Sequence, residues 1–164
     1  MSVVAVKVNQ NNIEIAADSI LVKGDSKRTD TQFHKLVKVN DMIIGSVGSA
    51  EELSLFLLFC ETHKISEAKE KCVLDFMCEF INWKSSMIEG CLIENDYIII
   101  YNCKAYLVEH LFVKEIFNYE AIGAGEDFAT AALYLGKSAK EAVKVACDLC
   151  CYVAEPIIEF KVSK

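Results

Sequence analysis

The chain has 164 residues, 53% of them hydrophobic and 25% charged, with one proline, seven glycines and a net charge of −7. That is the length of one domain with a core of its own, too apolar for a disordered or collagen-like chain, and without the roughly 18 to 20 consecutive apolar residues that span a bilayer. The acidic balance and the lack of any basic cluster argue against nucleic acid and against an anionic membrane as partners.

Met1 to Lys7 lacks the basic start, the long apolar stretch and the small-residue cleavage site of a secretory signal, which points to the cytoplasm. In that compartment the eight cysteines are expected to be reduced thiols acting mostly as small apolar residues, not as a disulfide framework.

Val3 to Val8 and Ile13 to Ala17 are short apolar runs separated by Asn9-Gln10-Asn11-Asn12, a pattern that predicts a β-hairpin. From Asp18 to Gln32 the chain turns polar, with Gly24-Asp25-Ser26 and Thr29-Asp30-Thr31, and reads as an exposed loop. A second hairpin follows, from Lys35 to Val39, through a turn at Asn40-Asp41, into Met42 to Val47. Ser49 with Glu52 three residues on has the form of a capping box, opening a helix with apolar positions Leu53, Phe56, Leu57 and Cys60. Beyond His63 to Ser66, the positions Cys72, Val73, Phe76, Met77, Phe80 and Ile81 predict a second helix of about five turns, antiparallel to the first.

From Met87 the runs become strand-like: Cys91 to Glu94, Tyr97 to Tyr101 and Ala105 to Val108, with turns at Asn95-Asp96 and Asn102-Cys103-Lys104, then Tyr119 to Ile122. Gly123-Ala124-Gly125 leads into a helix from Glu126 to Leu135 that Gly136 closes. Ser138 with Glu141 caps a last helix through Ala142, Val145, Ala146 and Leu149, ahead of a strand from Ile157 to Val162. Strands and helices in blocks favour an α+β fold over a doubly wound parallel sheet. Strands apolar on both faces fit two stacked sheets with helices outside, a four-layer αββα sandwich, as one domain over residues 1–164.

The start of the chain carries the chemistry. A small residue after Met1 favours removal of the methionine, leaving Ser2 with a hydroxyl and a free α-amine on one residue, a nucleophile with its own base. An α-amine has an ordinary pKa of roughly 7.7 to 8.0, close enough to working pH to take the hydroxyl proton.

Ser2-Val3-Val4-Ala5-Val6, Ala16-Ala17-Asp18, His34-Lys35-Leu36-Val37-Lys38 and Gly45-Ser46-Val47-Gly48, in that order and spacing, resemble the proteasome β-subunit and its bacterial relative HslV. Ala121-Ile122-Gly123-Ala124-Gly125 and Asp148-Leu149-Cys150-Cys151-Tyr152 extend the resemblance over almost the whole chain. It implies an N-terminal nucleophile hydrolase that cuts polypeptide with Ser2 as nucleophile. In it Lys35 places a positive charge beside the amine and hydroxyl, Asp18 holds that lysine, and the backbone N–H of Gly45 stabilises the oxyanion. It further implies a homo-oligomer of rings stacked face to face around a chamber, a double hexamer first, and a hexameric AAA+ unfoldase as partner. The chain has no Gly-rich Gly-Lys-Ser/Thr loop of its own to bind a nucleotide. On this resemblance the 164 residues are close to a minimum sandwich, with no propeptide beyond Met1.

The sequence departs from the family at several places. Serine replaces threonine and lacks the methyl that restricts χ1, so slower turnover is expected. Gly123-Ala124-Gly125 stands where the family has a serine between glycines, which leaves Ser46 or a water to supply a relay hydroxyl. No cofactor is expected to be required. HslV-like proteins can hold a monovalent cation through backbone carbonyls in the turn after the last helix, where Val153 and Ala154 here replace polar residues. Cys147-Asp148-Leu149-Cys150-Cys151 has no second CxxC pair to complete a zinc site, and His34, His63 and His110 are dispersed. Two other functions share these features: a noncatalytic ring subunit, should Met1 be retained, and an N-terminal nucleophile amidase acting on small amides.

Overall fold

A computed structural model of the chain describes residues 2–23, 26–28, 34–88 and 92–164. Met1, Cys91 and most of the expected loop motifs Gly24-Asp25-Ser26 and Thr29-Asp30-Thr31 lie outside the described residues.

The first hairpin pairs β1 (Val4–Val8) with β2 (Asn12–Asp18). A two-stranded β3 (Leu21–Lys23) and β4 (Ser26–Arg28) follows, then β5 (Leu36–Val39) and β6 (Met42–Val47). Helices α1 (Ala50–Thr62) and α2 (Glu70–Ser85) come next. They are followed by β7 (Asp96–Tyr101), β8 (Lys104–Glu109), β9 (Phe112–Ile116) and β10 (Tyr119–Ile122). Helices α3 (Glu126–Tyr134) and α4 (Ala139–Leu149) and strand β11 (Ile157–Ser163) complete the chain. One antiparallel sheet runs β10-β1-β2-β11 and the other β5-β6-β7-β8-β9. No helix among the described residues is long and apolar enough to cross a membrane.

Strand alternation explains why both faces of each sheet are apolar. Val4, Val6, Ile15, Ile43, Ile98 and Ile100 meet between the two sheets. Met42, Ile44, Tyr97 and Ile99 point the other way, into a core with Phe56, Phe59, Phe76 and Phe80 of α1 and α2. On the opposite outer face Val3, Ala5 and Ala16 meet Ala132, Ala142, Val143 and Ala146 of α3 and α4. The four layers are therefore helix, sheet, sheet, helix, and the expected αββα sandwich is the fold.

The structure differs from the sequence reading in local places. The stretch after β2 is no exposed loop at its entry, since Asp18, Ser19 and Ile20 are buried and a short hairpin follows. Strand β9 escaped the pattern because its sequence, Phe112-Val113-Lys114-Glu115-Ile116, mixes charged and apolar positions. Residues 92–94 form no strand; the Glu94 N–H donates instead to the Glu52 carboxylate. The Ser49 cap is only half of a box. Ser49 Oγ accepts from Glu52 N, but the Glu52 side chain turns inward. The Ser138–Glu141 box closes in both directions, at 3.2 and 2.9 Å. Gly136, at φ 90°, ends α3 with Lys137 N donating to Ala132 O and Gly136 N to Leu133 O, the paired bonds that satisfy the last carbonyls of a helix.

Candidate active site

Asp18 ends β2 at the point where β1 begins. Its Oδ1 accepts from the main-chain N–H of Val3 at 2.9 Å, and its own N–H donates to Val3 O at 3.3 Å. Oδ2 accepts from Lys35 Nζ at 2.7 Å. Lys35 is the residue just ahead of β5, so this ion pair ties the two sheets together at one end. Asp18 is fully buried and Lys35 is 4% exposed. Burying two charges is costly unless each is paired and hydrogen-bonded, and here the second carboxylate oxygen has a donor as well.

Ser2 is held from both sides. Its next neighbour, Val3, is fixed by Asp18, while its own carbonyl accepts from Gly125 N at 3.2 Å. Gly123 makes that approach achievable: at φ 97°, a Cβ there would stand 2.5 Å from Ser2 O and 3.0 Å from Val47 Cγ1. The Gly123-Ala124-Gly125 turn is thus the seat of Ser2, and α4 packs on it, with Cys150 Sγ donating to Ala124 O. Ser2, Asp18 and Lys35, predicted as a group, are brought together by β1, β2 and the start of β5.

Burial pulls the Lys35 ammonium below its ordinary value, and the charge and hydrogen bond of Asp18 work against that pull. The net result is a lysine that gives up its proton sooner than a solvated one. From α4, the half-buried Cys147 thiol is pushed up to about 11, first by burial and next by the charge of Asp18. It therefore stays a neutral thiol near the pair. Among the described residues no group of His, Cys, Asp and Glu is arranged to hold a metal ion.

Gly45 lies elsewhere than the sequence expectation needs. Ser46 N donates to Lys35 O across to the β5 side. Successive N–H groups of a strand point to opposite neighbours, so the Gly45 N–H points into the ladder toward Ile98, its partner on β7. Its lack of a side chain has a packing reason: a Cβ would sit 2.6 Å from Val4 Cγ1 and 3.3 Å from Ile15 Cδ1, in the layer between the two sheets. Ser46 is displaced from its expected role too. Alternation turns it to the α1 side of the sheet, where its hydroxyl accepts from Asn95 Nδ2 at 3.1 Å. It does not face Ser2.

The first residue past β6 is Gly48, exposed and at φ 128°. Among the described residues its N–H makes no main-chain hydrogen bond. Two positions on from Ser46, that N–H shares the side of the sheet edge on which Lys35 lies. Beneath it is a buried group of four: Glu52, Lys84, Asn95 and Tyr97. By local spacing Glu52 is a partner for Ser49, and Asn95 is a turn residue. Only their separation in sequence, 32 residues from Glu52 to Lys84 and 43 to Asn95, hid the connection.

In the turn after α4, Cys150 O accepts from Val153 N at 3.2 Å.

No protein-family model matches the sequence, and no curated protein matches it. Solved structures do. Thiobacillus denitrificans BPH is similar with a TM-score of 0.81 at 22% identity, over 98% of this chain and 97% of that one. The same protein in complex with epoxomicin gives 0.81 at 21%, over 98% of each chain. Eukaryotic HslV from Trypanosoma brucei gives 0.76 at 18%, over 99% of each. Anbu, an ancestral beta-subunit from Yersinia bercovieri, gives 0.76 at 12%, over 97% of this chain and 80% of that one. At such identities the likeness is one of fold, and that fold is the sandwich of proteasome-type subunits.

Proposed function

We propose that this chain, on its proteasome-type sandwich, is an N-terminal nucleophile peptidase whose nucleophile is Ser2 Oγ once Met1 is removed. One observation carries the reading: Asp18 binds the Val3 N–H with one oxygen and the Lys35 ammonium with the other, which fixes a buried positive charge beside the first residues of β1.

The chemistry follows from that placement. The α-amine of Ser2 takes the hydroxyl proton as Oγ attacks the carbonyl carbon of a peptide bond. The resulting ammonium gives the proton to the departing amine, the C–N bond breaks, and the acyl group stays on Oγ as an ester. Water then attacks the ester, the amine again takes the proton, and the acid leaves as Oγ recovers it. The charge of Lys35 lowers the pKa of both the amine and the hydroxyl, each unit amounting to about 1.4 kcal/mol. For the oxyanion we assign the Gly48 N–H in place of Gly45, whose N–H is committed to the β-ladder. A donor of this kind contributes about 3 to 4 kcal/mol in enzymes where one has been removed. With Ala124 in place of a serine and Ser46 turned away, a water is left to relay protons, and together with the missing threonine methyl this makes for slow turnover.

The family resemblance supports a homo-oligomeric ring around a chamber, a double hexamer with a hexameric AAA+ unfoldase delivering polypeptide. The exposed apolar side chains Leu92, Phe117, Tyr134 and Leu135 suit contacts between copies, and the −7 charge then belongs to the outside of the assembly.

Hydrolysis of fluorogenic peptides by untagged protein, with Ser2→Ala alongside, tests the proposal. Cleavage that disappears in Ser2→Ala is the expected result. Cleavage undiminished in that variant overturns the reading. Quantitative retention of Met1 with no cleavage favours the noncatalytic subunit, and cleavage of small amides alone favours the amidase.

A further inference from the structure

Asn95, 1% exposed, directs its whole side-chain amide at the connection between β6 and α1. Oδ1 accepts from Ser49 N, and Nδ2 donates to Ser49 O at 2.8 Å and to Ser46 Oγ at 3.1 Å. Gly48 lies between those anchors, and a Cβ on it would collide with the Asn95 amide. The peptide that presents the Gly48 N–H is therefore bounded by the β6 ladder on one side and by Asn95 on the other.

Asn95 is itself held. Its main-chain N–H donates to Glu52 Oε1 at 3.0 Å, and Glu52 also accepts from Glu94 N and the Tyr97 hydroxyl, each at 3.0 Å. Lys84 Nζ completes the set, donating to Glu52 Oε2 at 2.5 Å and to Leu92 O at 2.9 Å. Glu52 and Lys84 are 2% and 4% exposed. A buried ion pair is weak evidence for stability in itself, whereas a buried polar network with every member satisfied makes its surroundings rigid. This one ends on the two residues that flank the proposed oxyanion donor.

We infer, building on the peptidase reading above, that Asn95 is a positioning residue. Its amide holds the Gly48 N–H at the place where the oxyanion forms, and the Glu52–Lys84 pair is its support.

Steady-state kinetics of Asn95→Ala and Ser46→Ala on a fluorogenic peptide, across pH, test this. Displacing an oxyanion donor by about an ångström costs about 10- to 100-fold, so Asn95→Ala should lower kcat by that factor with KM held within about twofold. Both limbs of the pH profile should stay in place, because neither the Ser2 amine nor Lys35 is touched. Ser46→Ala, which removes one of the three bonds, should lower kcat by about threefold, a fraction of the full effect. The inference is overturned if Asn95→Ala keeps its kcat, if KM rises in step with the loss, or if the pH limbs move, since the last two mark general loosening of the site. Should Asn95→Ala fail to fold, as judged by its near-ultraviolet circular dichroism, Ser46→Ala decides: an unchanged kcat overturns the inference. If the unsubstituted protein shows no Ser2-dependent cleavage, the peptidase reading itself fails and this inference goes with it, an outcome distinct from active protein with indifferent variants.

Discussion

Asp18 divides its carboxylate between two sheets, accepting from the Val3 N–H of one at 2.9 Å and from the Lys35 ammonium at the edge of the other at 2.7 Å. The same side chain thus ends a β-ladder and neutralises a buried lysine, so it should matter both to folding and to chemistry.

Asp18→Ala leaves the Lys35 charge buried without its partner. Breaking a buried pair in this way costs about 3 to 5 kcal/mol, which for a chain of this size is a fall in Tm of about 6 to 20 °C. Thermal unfolding should show that fall. Asp18→Asn, which keeps an acceptor for Val3 N–H, should fall less while losing most of the activity, because Lys35 is no longer held charged.

The pH dependence follows from the lowered pKa of Lys35. Cleavage should rise as the Ser2 amine loses its proton, then fall as Lys35 becomes neutral, below the ordinary lysine value of 10.5. For stability the unfolded chain binds the extra proton between the lowered and the ordinary value, so the Lys35 contribution grows with pH across that window. Denaturant unfolding at several pH values, comparing the protein with Lys35→Met, should show the slope in the former and not in the latter. Lys35→Arg should lose the alkaline limb of activity, since a guanidinium stays charged.

Gly123 and Gly136 both sit at positive φ, at 97° and 90°, but only one touches the site. Gly136→Ala meets nothing within 4 Å and should cost only the backbone term, about 1 to 2 kcal/mol, with cleavage intact. Gly123→Ala adds a clash with the Ser2 carbonyl. It should cost more stability and lower kcat by about 100-fold, as expected when a nucleophile moves by an ångström.

Glu52→Ala removes the acceptor of four groups and leaves the Lys84 ammonium buried. A loss of about 3 to 5 kcal/mol is expected, measurable by urea unfolding. The double substitution Glu52→Leu with Lys84→Met should recover much of it, since well-packed apolar residues often replace a buried pair without loss. It should not recover kcat, because Asn95 then lacks its main-chain anchor.

Much of the fold was legible because alternation and helical spacing are local. The β1–β2 and β5–β6 hairpins, α2 and the Ser138–Glu141 cap need no distant partner to be recognised. Ser2, Asp18 and Lys35 were singled out by the resemblance of their segments to the proteasome family, since each alone is an ordinary residue at a chain start or strand end; the structure sets Asp18 between Val3 and Lys35. What the sequence hid depends on direction and distance. Whether the N–H of Gly45 or that of Gly48 is available depends on which neighbouring strand each faces, and residue type is silent on that. Glu52 satisfies the local pattern of a capping box, yet four donors, three of them more than 40 residues away along the chain, hold its carboxylate elsewhere. Asn95 looks like a turn residue because its use, bracing Ser46 and Ser49, exists only after β6 and β7 pair.

Peptide-level mass spectrometry of untagged protein tests whether Ser2 is an N-terminal nucleophile. The protein is incubated with epoxomicin, the ligand in the similar Thiobacillus denitrificans structure, and the N-terminal peptide is sequenced. That peptide should begin at Ser2 and carry the adduct, and Ser2→Ala should carry none. A chain that keeps Met1 while cleaving peptides, or an adduct that persists in Ser2→Ala, would contradict that role for Ser2.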